Sequence, residues 1–155
     1  MLPFRRVLVT TDFSETSFVA LPVAVEIASH FDADLLCVHV LPVDTPTPWD
    51  IPPYADFGLA SLPIPEYEAQ VRQEVDRRLA MVAAKHAQGA RMRGLVGRGE
   101  AAEEINRIAT DEKVDLIVLA THGWTGWRHL VFGSVAEKVL REAPCPVLSV
   151  RSPAR

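Results

Sequence analysis

Several things are scarce in this 155-residue chain, and each scarcity excludes something. There are two cysteines, Cys37 in an apolar run and Cys145 between prolines, with no CxxC and no Cys/His cluster at zinc spacing. Neither a disulfide framework nor a structural zinc is indicated, and a chain of this length, which buries about 70% of its unfolded surface, needs neither. Basic residues are outnumbered, 16 against 20 acidic, so the net charge is −4. No basic field attracts nucleic acid or anionic lipid, although a small local anion site is compatible with that balance. No stretch approaches the roughly 20 apolar residues that span a bilayer, and MLPFRRVLVTTDFSE lacks the long apolar core of a signal peptide. A cytoplasmic protein of one domain, residues 1–155, that engages neither membrane nor nucleic acid is expected. The P-loop pattern and the GxSxG elbow are also absent, which removes the best-known routes to phosphoryl and acyl transfer.

What is present alternates. Val7 to Thr11 is a β-branched run that gives way at Asp12-Phe13-Ser14-Glu15 to a helix-start signal, and Phe18, Leu21, Val25 and Ala28 then mark one face of a helix. Pro22 is awkward inside that helix and suggests a kink. Asp34 to Val40 is continuously apolar, as in a strand buried on both faces of a parallel sheet. Residues 41–65 then hold seven of the twelve prolines, so a long loop at about 42–65 is expected, with Trp49, Tyr54 and Phe57 packing on something. Helical spacing resumes over 66–88, followed by a weaker strand over 90–96, a helix over 100–111, a strong strand over 114–121, a loop over 122–133, a helix over 134–141 and a strand over 146–151. Such a series implies an α/β, doubly wound parallel sheet with helices on both faces.

Ligands of open parallel sheets sit beyond the carboxyl ends of the strands, where strand order reverses. The fourth strand exits through Ala120-Thr121-His122-Gly123, and nine residues later Gly133-Ser134 opens a helix. Glycines let backbone N–H groups approach an anion, and a helix N-terminus adds unpaired donors and the positive end of its dipole. Ser134 at the N-cap would either cap that helix or meet a phosphate oxygen. An ordinary capped helix explains the spacing equally well. Asp12, at the first strand's exit, suits a ribose hydroxyl or a base amino group; as Asp12-x-x-Glu15 it also resembles a capping box. His122 either contacts a phosphate or orients its loop through a backbone bond. Trp124 and Trp127 in the same loop close over a ligand, fill a dimer groove or pack beneath the loop. Gly97-Arg98-Gly99-Glu100-Ala101-Ala102 has the GxGxxA form but follows the third strand and carries acidic residues, so a tight turn with an acidic helix start accounts for it.

Taken together, VLVTTDFSE (7–15), VDLIVLATHG (114–123) and GSVAEKVLREAPCPVLSV (133–150) resemble the universal stress protein family. The resemblance implies a five-stranded parallel sheet ordered 3-2-1-4-5, with the switch point between the first and fourth strands. ATP-binding members carry Gly-x2-Gly-x9-Gly-Ser/Thr; here Ala120 stands in place of the first glycine, ahead of Gly123, Gly133 and Ser134. By the same carry-over Thr10, Thr11, Asp12 and Val40 line the adenosine side, Leu119 and Ala120 the ribose or base, and Gly123, Gly133, Ser134 and Val135 the phosphates. A Mg2+ or Mn2+ ion would be held mainly by the phosphates. The family further implies a homodimer paired through the last strand, Pro146 to Val150, whose apolar edge would otherwise invite uncontrolled pairing. The expected function is a nucleotide-dependent regulatory protein of the stress response. A slow ATP hydrolase using His122 or Asp12, or an interaction module without nucleotide, are the alternatives.

Overall fold

The structure is a computed structural model, and it describes residues 3–43, 64–121 and 133–151. Five strands, β1 (Arg6–Thr10), β2 (Asp34–Leu41), β3 (Arg91–Arg98), β4 (Leu116–Thr121) and β5 (Val147–Arg151), form one sheet in the order 3-2-1-4-5. Every neighbouring pair is parallel. The helices are α1 (Ala20–Phe31), α2 (Ile64–His86), α3 (Ala101–Asp111) and α4 (Ser134–Glu142). The sheet order expected from the family resemblance is the one observed.

Strand periodicity separates the core into two layers. In β1, Val7 and Val9 face α1 and α2 together with Leu35, Cys37, Leu116 and Val118. Leu8 faces α3 and α4 together with Leu36, Val38, Ile117 and Leu119. The uninterrupted apolar run in β2 is therefore two half-patterns, each covered by its own helical layer. Winding explains the division. The chain moves outward from β1 through β2 to β3, then returns to β4 on the other side of β1, and right-handed crossovers carry the helices of the two halves to opposite faces. The reversal leaves the carboxyl ends of β1 and β4 side by side, paired through Val9 and Val118.

Three local expectations change. The first helix starts at Ala20, after a 3₁₀ turn at Ser17–Val19, and its N-cap residue Val19 makes no side-chain cap. Asp12 is therefore not its capping residue. Pro22 is the third residue of α1, where a backbone N–H has no intrahelical partner, so no kink follows from it. The strand expected over 34–40 runs on to Leu41, which pairs with Arg98, and the proline-rich loop expected to reach 65 gives way earlier, with Pro65 in the first turn of α2. Trp49, Tyr54 and Phe57, like Trp124 and Trp127, lie outside the described residues. Among the described residues no helix is long and apolar enough to cross a membrane.

Candidate functional site

Where β1 and β4 end, a cavity of about 250 Å³ opens. Nine of the residues singled out from sequence line it: Thr10, Thr11 and Asp12 after β1, Val40 in β2, Leu119 and Ala120 in β4, and Gly133, Ser134 and Val135 at the start of α4. His122 and Gly123 lie outside the described residues. Sequence reasoning missed Ser14, Thr16, Ser17, His39 and Thr121, which add polar groups, and Ala101 and Ile105, which add apolar surface from α3. Ser14, Thr16 and Ser17 were hidden by the helix-start reading of their segment; a run of Ser and Thr that favours local turns over helix was the available signal.

That segment is tied by its own side chains. The Thr11 amide donates to the Val38 carbonyl at 2.9 Å, extending the pairing of β1 and β2 by one residue. The Thr11 hydroxyl oxygen accepts the Phe13 N–H at 2.9 Å and lies 3.0 Å from the Ser17 hydroxyl. Asp12 Oδ1 accepts the Ser14 N–H at 2.9 Å and the Ser14 hydroxyl at 2.5 Å, closing an Asx turn, and Oδ2 takes no part in that turn. Partial burial pushes the Asp12 pKa up, but the hydroxyl and N–H of Ser14 and the hydroxyl of Ser17 outweigh it and hold the carboxyl below its ordinary value of 3.8. At neutral pH Asp12 is a fixed, ionised acceptor. Phe13 completes the turn at φ 65°, a conformation that costs a bulky residue roughly 1–2 kcal/mol.

The opposite wall is the N-terminus of α4. Gly133, not Ser134, is the N-cap residue, and among the described residues no side chain caps the helix. Ser134 is the first helical residue, so the expected capping role is not the one it has. The first-turn N–H groups and the positive end of the helix dipole suit an anion. Ala120 sits in regular strand, paired with Val150, and is not among the positive-φ residues. Its backbone therefore does not require glycine, and the substitution costs only the space of one methyl group.

The GxGxxA turn has a different occupant. Gly97 is within β3, and Gly99 has φ 152° with the Glu104 side chain so close that a Cβ would stand 2.8 Å from its Cγ. Glu100 caps α3, accepting the N–H groups of Ala102 and Glu103 at 3.2 and 3.0 Å. A carboxylate already occupies the N–H cradle, so a phosphate is excluded there. Among the described residues no group of three or more His, Cys, Asp and Glu is arranged to hold a metal ion.

The model of the universal stress protein family matches residues 3–151 of this chain. The chain belongs to the universal stress protein family. Universal stress protein MJ0531 of Methanocaldococcus jannaschii is 33% identical to it over 150 residues, covering 97% of this chain and 84% of its own length. The solved structure of MJ0577, from the same organism, superposes with a TM-score of 0.73 at 24% identity, covering 98% and 99% of the two chains. A universal stress protein solved in complex with cAMP superposes with a TM-score of 0.61 at 23% identity over 97% and 98%. These two likenesses concern the fold, which is the family's open parallel sheet.

Proposed function

We propose that this protein binds ATP, accompanied by Mg2+ or Mn2+, in the cavity between the ends of β1 and β4, and acts as a nucleotide-dependent regulatory protein in the cytoplasm. The observation that carries the reading is that Asp12 and the N-terminus of α4 border the same cavity. A nucleoside phosphate has complementary ends. Ribose hydroxyls or a base amino group donate to the ionised Asp12 carboxylate, while phosphate oxygens accept from the N–H groups of α4 and the Ser134 hydroxyl. Thr10, Thr11 and Val40 then border the adenosine, Leu119 and Ala120 the ribose or base, and Gly133 and Val135 the phosphates, with His122 and Gly123 joining from the following loop. The divalent cation is held mainly by the phosphates and water, as magnesium prefers. The relative bound to cAMP supports an adenine nucleotide as the class of ligand.

Asp12 lends no support to hydrolysis, and His122, the other candidate base, lies outside the described residues. A general base works best with a pKa near the operating pH, whereas Asp12 is held below its ordinary value. Pairing of β5 with its copy in a second chain is part of the proposal, because β5 is an edge of the sheet and Leu148 on it is 38% exposed.

Calorimetric titration with ATP and magnesium, with mass spectrometry of gently purified protein, tests the reading. One nucleotide per chain is expected, with affinity reduced at least tenfold by Asp12→Ala, on the order expected for loss of a charge-assisted bond. Absence of binding at millimolar ATP overturns the reading and leaves the interaction module.

A further inference from the structure

Asp12 lies between two residues that touch the same imidazole. The Nδ1 of His39 is 2.9 Å from the carbonyl oxygen of Thr11, and the His39 ring lies against the Phe13 ring with centroids 4.5 Å apart and planes tilted by 32°. A carbonyl oxygen only accepts, so Nδ1 carries the proton and the tautomer is fixed. His39 is well placed to be an anchor, because its backbone is within β2, in register with Val96 of β3. Phe13 is also flanked by the Arg78 guanidinium of α2, whose carbon lies 5.8 Å from the ring centroid. Arg78 is in turn held at 2.8 Å by Glu74. His39 and Arg78 thus both contact the ring of a residue whose backbone stands at φ 65°.

Those contacts have a consequence for the carboxylate. The φ angle of Phe13 sets the path of the chain between Asp12 and Ser14, the two residues joined by the Asx turn. Release of the Phe13 ring would free that path, and with it the direction in which the Asp12 carboxylate is held. Nothing in the turn itself demands positive φ of a phenylalanine; the ring contacts supply the compensation.

We propose that His39 is a positioning residue for nucleotide binding: by holding the Thr11 carbonyl and the Phe13 ring it keeps the Asp12 carboxylate aimed at the ligand. The proposal rests on the nucleotide reading above and adds to it a residue whose imidazole acts through Asp12. Although His39 also borders the cavity, its part in the affinity comes through the turn, since a preformed carboxylate saves the ligand the work of ordering it.

ATP affinities of wild type, His39→Ala, His39→Asn, Asp12→Ala and the Asp12→Ala, His39→Ala double variant test this, the weaker ones titrated to millimolar nucleotide. His39→Ala is expected to weaken binding about tenfold, and His39→Asn, whose amide reaches the Thr11 carbonyl, to recover to within about threefold of wild type. With Asp12 already removed, loss of His39 should change affinity by less than about twofold, because residues acting through one another are not additive. The same factor in both backgrounds overturns the proposal, as does an unchanged affinity in His39→Ala. Amide exchange in the absence of ligand gives an independent measure. The Phe13 and Ser14 amides should exchange faster in His39→Ala while the ladder between β2 and β3 stays protected, and unchanged exchange overturns the positioning role. A wild type that binds no ATP defeats the nucleotide reading by itself, and the exchange measurement still reports whether His39 holds the turn.

Discussion

Gly94 on β3 and Leu79 on α2 meet so closely that a Cβ added at Gly94 would stand 2.8 Å from the Cβ of Leu79. Leu79 is 2% exposed and belongs to the core layer between the sheet and α1 and α2. The absence of a side chain at residue 94 therefore sets how near α2 lies to the sheet edge. Gly94→Ala is expected to cost about 1–3 kcal/mol through overpacking, read from urea unfolding. Because the close atom is a Cβ, trimming the partner to Leu79→Ala should not rescue Gly94→Ala; recovery in the double variant would refute this account of the contact.

Glu100 links α3 to α4. Its carboxylate caps α3 and also lies 3.1 Å from the Lys138 ammonium, which is 2.8 Å from Glu103. Glu100→Ala should cost about 1 kcal/mol as a lost cap. Lys138→Met should cost less than Glu100→Ala, since an exposed ion pair contributes little. Equal losses in the two variants would show that the cap is not the larger contribution.

Acid should destabilise the fold. The N–H of Glu103 and the Lys138 ammonium hold Glu100 below its ordinary 4.5, Arg107 does the same for Glu104, and Arg77 and Arg78 hold Glu74 at about 2. A carboxylate whose pKa is lower folded than unfolded stabilises the fold above its unfolded value and loses that contribution as pH falls through the folded value. The thermal midpoint should stay level from neutral pH to about 5 and fall between about 4.5 and 2. Glu100→Gln should make that fall shallower. A midpoint that rises on acidification would contradict the sign.

Ala120 tests the substitution in the glycine pattern. Its strand backbone does not need glycine, so Ala120→Gly should change ATP affinity by less than about threefold. Ala120→Val fills the cavity and should weaken affinity at least tenfold, on the order of a steric clash in a pocket, with little loss of fold stability. Tight binding by Ala120→Val would move the ligand away from β4.

Pairing through β5 makes a hydrodynamic prediction. Wild type should sediment at twice the chain mass, and Leu148→Asp at the chain mass, because a charge buried against a copy of itself costs several kcal/mol. A wild-type monomer at working concentration would refute the pairing.

The order of strands and helices was legible in the chain because each pattern is local. Leu35 to Val38 is apolar throughout since both layers press on β2, and Glu100 caps α3 from the position its sequence suggests. Of the nine cavity residues, Asp12, Ala120, Gly133 and Ser134 stood out at strand exits and a helix start, whereas Thr10, Thr11, Val40, Leu119 and Val135, like the order 3-2-1-4-5, came from family resemblance and not from periodicity. Asp12 shows where local reading stops. Its spacing to Glu15 suits a capping box, but Ser14 competes for the carboxylate, and the helix starts only at Ala20. Whether Phe13 adopts positive φ depends on His39, 26 residues later in the chain, and on Arg78. Helix and strand periodicity is enforced over a few residues by backbone geometry, so sequence alone determines it. The direction of one carboxylate is decided by contacts between β2, α2 and the exit of β1, which exist only once the sheet has assembled.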